Sequence, residues 1–310
     1  MTELIPVAAC IFIAFGIGAN DTSNALGISI GCGIIRLRRA LLLFGCFVLI
    51  GILLQGQKVM KTVGKDLLDV NLSIISISLS VAAFLIILSN WRKLPISTHQ
   101  VVIGSLTGSG VASGSDIIFL SIFKISLYWI ISPLVAFFTA LLLYKAMEKT
   151  ISKLSLFRIE RILRALLLIS GILISYNTGA NELATILGPV IHSGLIEKVQ
   201  ASLIGSLFVM LGAVILSHRV IETIGKGITT LDPYSGFAAQ FGAGICVLFF
   251  TFLGMPISTT YCIIGGISGV GMSKGMKTVR IELLKKIVAN WILAPSLAFI
   301  ISFVIMKAIS

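Results

Sequence analysis

Charge is scarce in this sequence: 12% of its 310 residues are charged against 57% hydrophobic, and its mean hydropathy is +1.07. That balance excludes a soluble globular domain and a disordered chain. The chain reads instead as an all-α polytopic membrane protein. Acids are scarcer than bases, 12 against 24 Lys and Arg, for a net charge of +12. In a soluble protein such an excess would suggest nucleic acid. Here it belongs to loops facing the cytoplasm, so no nucleic-acid partner is expected. Paired cysteines are lacking too: Cys10, Cys32, Cys46, Cys246 and Cys262 are scattered through apolar stretches with no CxxC. This excludes a disulfide or metal framework and leaves them as packing residues. No basic n-region precedes the first apolar run, which therefore reads as a membrane span and not a cleaved signal.

A helix needs about 20 apolar residues to cross the hydrocarbon core. Seven charge-free stretches approach or exceed that length: 40–57, 70–91, 94–115, 125–144, 199–218, 233–273 and 287–306. Two more, 4–35 and 165–196, each hold a single acid, Asp21 and Glu182. A carboxylate in mid-membrane costs on the order of 3 kcal/mol even on lenient scales. These two acids therefore need a functional reason.

Comparison of the chain with itself supplies one. Gly18-Ala19-Asn20-Asp21 recurs as Gly179-Ala180-Asn181-Glu182, a shift of 161 residues. Leu94-Pro95-Ile96-Ser97-Thr98 recurs as Met255-Pro256-Ile257-Ser258-Thr259 at the same shift, and Gly104 and Gly108 pair with Gly265 and Gly269. Gly64-Lys65 matches Gly225-Lys226, and Trp129 to Pro133 matches Trp291 to Pro295 after one inserted residue. The chain is a duplicated unit. It divides into a first transmembrane repeat (1–150), a basic cytoplasmic linker (151–164) and a second repeat (165–310).

If each Pro-Ile-Ser-Thr segment counts as a net crossing, each half crosses five times. One side then collects 18 of the 24 Lys and Arg, among them Arg36, Arg38, Arg39 and the 145–164 cluster. By the positive-inside rule that side is cytoplasmic and both termini are extracytoplasmic. An odd number of crossings inverts the second half relative to the first, the construction of many secondary transporters. The charges of 145–164, at helical spacing, predict a surface helix.

Each acid sits among residues that weaken a helix: Gly16, Gly18, Asn20, Thr22, Ser23 and Asn24 in one copy, Asn177, Thr178, Gly179 and Asn181 in the other. A helix break is expected at both, against a cavity or buried in protein. The alternative, that Asn20 and Asn181 only join helices by hydrogen bonds, leaves the duplicated acids unexplained. The Pro-Ile-Ser-Thr segments open short, glycine-dense stretches, 96–113 and 257–272. These suit re-entrant or half-span helices. Ser and Thr at such a start cap free N–H groups, and those groups suit an anion. Close helix packing accounts for some of the glycines but not for the clustered hydroxyls.

No Lys or Arg falls in either acid-bearing run or either Pro-Ile-Ser-Thr segment. An anion there must be held by N–H groups, hydroxyls and amides. Two bare carboxylates would repel it, at about 4 kcal/mol per pair at 4 Å and an effective dielectric constant of 20. A positive charge must neutralise Asp21 and Glu182 first. Sodium suits the hard oxygen ligands, and protonation is the other route. Either links cation to anion binding, as symport requires.

The paired Gly-Ala-Asn-acid and Pro-x-Ser-Thr motifs resemble the PiT family of inorganic phosphate transporters, sodium- or proton-coupled carriers that include some sulfate permeases. The resemblance covers essentially the whole chain. It implies a homodimer of inverted-repeat subunits in the cell membrane, with a midplane phosphate site and no organic cofactor. It puts sodium at Asn20, Asp21, Asn181 and Glu182, and phosphate at Ser97, Thr98, Ser258 and Thr259, with Asn24. The second copy departs from the family in having Glu182 for Asp and Thr185 for Asn. Where the family commonly has a His after the motif serine, this chain has Gln100 and Tyr261. Gln100 reads as an amide donor to phosphate and His99 as hydrogen-bonded in place. The expected function is sodium-coupled phosphate import by alternating access. A proton-coupled phosphate or sulfate permease and an ion channel lined by the acids are the alternatives. An enzyme using Ser97, Ser258 and His99 is disfavoured, because the hydroxyls are twinned and the histidine is not.

Overall fold

The structure is a computed structural model that describes residues 3–92, 96–151, 155–227, 232–275 and 281–309. Leu94 and Pro95 of the first Pro-Ile-Ser-Thr motif, together with Lys93, Lys153, Lys277 and Arg280, lie outside the described residues. With no water in the hydrocarbon region, backbone groups must be satisfied within the segment, which leaves the helix as the open-chain solution. The described residues accordingly form helices, with a lone bridge between Leu68 and Ile117.

The first half gives α1 (Leu4–Gly31), α2 (Leu37–Gln55), α3 (Gln57–Gly64), α4 (Leu72–Arg92), α5 (Thr98–Ser113) and α6 (Phe119–Ile151). The second gives α7 (Leu156–Asn177), a π-helical segment (Thr178–Leu183), α8 (Ala184–His192), α9 (Lys198–Gly227), α10 (Pro233–Phe252), α11 (Thr259–Lys274) and α12 (Ile281–Ile309). Seven described helices are long and apolar enough to cross a membrane: α1, α2, α4, α6, α10 and parts of α9 and α12. α5 and α11 have 16 residues each, about 24 Å at 1.5 Å per residue, short of a hydrocarbon core of about 30 Å. They are the expected half-spans.

Two expectations fail. α1 runs without interruption through Gly18–Asn24, so the first acid motif holds no break. Thr22 Oγ1 donates to the Gly18 carbonyl at 2.7 Å, which keeps the polar side chain inside its own helix. In the second copy the irregularity is a six-residue π segment around Glu182. The discontinuities fall instead before α5 and before α11. The expected surface helix over 145–164 is also absent as such: 145–151 end α6 and 156–164 begin α7. The charges there extend long helices beyond the apolar region.

The halves interlock. α1 packs on α9, α2 on α7 and the π segment, α3 on α8, α5 on α12, and α11 on α6. Most large contacts thus join one repeat to the other, in pairs exchanged by the shift of 161. Two glycine pairs show how close the approach is. A Cβ on Gly18 would overlap the backbone of Val209, and one on Gly179 the backbone of Val48, its repeat counterpart. Likewise Gly104 lies against the Pro295 backbone and Gly265 against that of Pro133. Small residues that let membrane helices touch backbone to backbone serve this role widely.

Candidate functional site

α1 and the π segment carry the two acids, and both are buried: Asp21 is 4% exposed and Glu182 5%. Their carboxyl groups lie close enough together to interact electrostatically. These residues are repeat counterparts, so the contact places them on the pseudo-twofold axis. Asn24 Nδ2 donates to Asp21 Oδ1 at 3.2 Å and to Thr260 Oγ1 at 3.0 Å, tying α1 to the start of α11. Asp21 Oδ2 has no protein partner. Carboxylate, hydroxyl and amide oxygens form a hard donor set of the kind sodium prefers.

The starts of α5 and α11 supply the second component. Ser97 and Ser258 are their N-caps, with extended backbone at ψ 122° and 115°. Ser258 Oγ accepts the Tyr261 N–H at 3.4 Å, while Ser97 Oγ has no partner. Thr259 Oγ1 and Gln100 Nε2 are buried and likewise without a protein partner. Thr98 is half-buried beside them. A buried polar group left unsatisfied costs about 1–3 kcal/mol, so three such donors around two helix N-termini point to a polar ligand. Hydroxyls, an amide N–H and helix starts are what a tetrahedral oxyanion requires.

The two asparagines behave differently. Asn181 is fully buried, and its Nδ2 donates to Thr251 Oγ1 at 2.7 Å and to the Met255 carbonyl at 2.9 Å. A carbonyl only accepts, so the Nδ2 end is fixed there and Oδ1 turns the other way. Oδ1 receives the Ile257 N–H at 3.1 Å and His99 Nε2 at 2.8 Å, which places the imidazole proton on Nε2. Asn181 thus clasps the strand of chain entering α11, which Trp129 Nε1 also holds through the Pro256 carbonyl at 2.9 Å. Asn20 is exposed and donates to Asn90 Oδ1 on α4 at 2.6 Å. Asn90 and Thr251 are repeat counterparts, so the same polar link is drawn twice, open in one half and buried in the other.

Of the predicted residues, the structure gathers Asp21, Glu182 and Asn24 in one polar cluster, and places Ser97, Thr98, Gln100, Ser258 and Thr259 at the two helix starts. His99 is held by Asn181, as expected. Sequence reasoning counted Thr260 among the clustered hydroxyls without giving it a role, and missed Asn90 and Thr251. The shift of 161 could have found the last two, since it maps each onto the other beside an already chosen Asn.

This geometry can be set beside known proteins. A family model described as the phosphate transporter family matches residues 17–159 and again 152–302. The chain belongs to that family. Its double match reflects the duplication. A protein of Methanocaldococcus jannaschii named a phosphate permease is 39% identical over 298 residues, covering 96% of this chain and 95% of its own. The sulfate permease CysP of Bacillus subtilis is 29% identical, over 98% of this chain and 87% of that one. A solved structure titled the sodium-dependent phosphate transporter superimposes with a TM-score of 0.88 at 22% identity, covering 99% of this chain and 98% of the other. The fold is that of this family: a multi-pass membrane protein of two inverted repeats.

Proposed function

We propose that the protein is a sodium-coupled symporter that imports inorganic phosphate through the cell membrane. The observation that carries this reading is the buried Asp21–Glu182 pair, joined through Asn24 and Thr260 to the start of α11, where the buried Thr259 Oγ1 lacks a protein partner. Sodium is drawn to Asp21 and Glu182, with the motif residues Asn20 and Asn181 completing the two duplicated cation motifs. Phosphate is held by Ser97, Thr98, Gln100, Ser258 and Thr259, with Asn24 bridging it to the cation. Two negative carboxyls in contact repel each other and any oxyanion, so the cation binds first and favours the anion. Alternating access is supported by the unequal halves: Asn181 is shut against the α11 entry while Asn20 is exposed.

The same reading takes residues 1–150 and 165–310 as the moving repeats, 151–164 as a cytoplasmic linker, both termini as extracytoplasmic and the assembly as a homodimer. Uptake of labelled phosphate into proteoliposomes, with and without a sodium gradient at fixed pH, tests the coupling. Uptake indifferent to sodium rejects it. A carboxyl pair in contact also suits one shared proton, and that second reading requires uptake driven by a pH gradient alone.

A further inference from the structure

Gln100 and Tyr261 stand at the same register, three residues past the capping serines Ser97 and Ser258, and are related by the shift of 161. They meet across the pseudo-twofold axis: Tyr261 Oη donates to Gln100 Oε1 at 3.4 Å. Both are buried, Gln100 at 0% and Tyr261 at 3% exposure. Were the repeats identical here, like would meet like. Instead a phenol meets an amide, and an amide has two unlike ends. The end that the phenol holds is occupied, and the opposite one is left for another partner. The hydroxyl engages Oε1, and Nε2 is the buried end left without a protein partner, at the helix start it shares with the equally unpartnered Ser97 Oγ.

The consequence concerns which oxyanion is accepted. Sulfate offers only acceptors, whereas hydrogen phosphate also carries a P–OH that must donate. An inward N–H suits both anions. An inward carbonyl oxygen would pair with the P–OH but face a sulfate oxygen with lone pair against lone pair. Sites built around a specific donor or acceptor discriminate far more strongly than apolar pockets do, because the wrong ligand leaves a buried group unpaired. We infer that Tyr261 is a positioning residue that locks the Gln100 amide with its N–H toward the anion and so sets the tolerance of the site for sulfate beside phosphate. Two observations carry this: the axial phenol–amide contact and the unpartnered buried Nε2. The inference rests on the oxyanion reading above.

The test is a double-mutant cycle on reconstituted protein. Inhibition of labelled phosphate uptake by unlabelled sulfate and by unlabelled phosphate is measured for wild type, Tyr261→Phe, Gln100→Leu and the double variant. Freed from the phenol, the amide can turn its oxygen to a P–OH. Tyr261→Phe should therefore move the sulfate-to-phosphate ratio of inhibition constants by roughly tenfold in favour of phosphate. Gln100→Leu, with no amide to orient, should weaken both anions alike and make the added Tyr261→Phe silent. An unmoved ratio in a Tyr261→Phe protein that elutes as wild type does would overturn the proposal. So would a ratio that moves in Gln100→Leu alone, or as far in the double variant as in Tyr261→Phe. Wild type that takes up neither anion sinks the oxyanion reading itself, a result separable from these.

Discussion

Asp21 and Glu182 show what one residue pair imposes on its surroundings. Each sits in an apolar element, and no lysine or arginine lies in either acid-bearing run. Ionised, the pair would hold negative charge that, on the proposed reading, a cation or a proton offsets. Asp21→Asn and Glu182→Gln are each expected to lower sodium-driven phosphate uptake by roughly 5- to 150-fold, the span of ordinary site-to-site coupling. Folding should persist, because a neutral amide is cheaper to bury than a carboxylate. Uptake assays together with size-exclusion profiles check both halves of that expectation; wild-type uptake by either variant would refute the role assigned to the acids. The acids were legible in the sequence as the two exceptions among twelve. Their direct contact was not, because side chains 161 residues apart in sequence meet only once the repeats interlock.

Elements are held by fit and by caps. Since a Cβ on Gly18 or Gly179 meets backbone, Gly18→Val and Gly179→Val should each prevent recovery of a monodisperse protein. Gly31, with nothing within 4 Å of an added Cβ, provides the control: Gly31→Ala should be neutral or stabilise by up to about 1 kcal/mol in thermal unfolding. The end of the α10–α11 pair is closed by an ion pair. Asp232 caps α10 by accepting the Ser235 N–H at 3.0 Å and pairs with Lys274 at the end of α11. Partial burial alone would push the Asp232 carboxyl up, but hydrogen bonds from Lys274 and Ser235 outweigh it and hold the group below the ordinary aspartate range. A depressed value means that this stabilisation is present above the unfolded pKa, about 3.9, and is lost as pH falls through the folded one. Thermal stability should therefore drop on acidification below about pH 4, and Asp232→Asn should remove that component of the drop. Helix existence and the half-spans were legible from apolar runs and capping serines. Continuity of α1 through its polar motif was not, since packing against α9 and the Thr22 hydrogen bond override weak local propensity.

At the scale of the molecule, two equivalent motifs lie in unequal surroundings. Asn20 is exposed and Asn181 is shut away. An asparagine of mid-helix α1 is tolerated there when it faces water. With exposed Cys32 and Cys46 replaced by alanine, Asn20→Cys should react with a membrane-impermeant thiol reagent from one side of the membrane, and Asn181→Cys from neither. Exchange of the repeats' roles during transport predicts that sodium and phosphate together change the Asn20→Cys labelling rate. Equal labelling of both positions in every condition would contradict two unequal states.

The sequence by itself determined that this chain lives in a membrane, that it is built twice, and which acids and hydroxyls are the candidates for its chemistry. Each of these follows from a local cost: charge in lipid, helix starts without partners, and a motif repeated at constant spacing. The tertiary structure alone decided that counterparts touch, Asp21 with Glu182 and Gln100 with Tyr261. It also decided that one asparagine became a clasp while its twin stayed exposed. Contacts of this kind depend on how closely inverted helices can approach one another. That distance is set by glycines meeting backbone, a property of the packed pair and not of either segment.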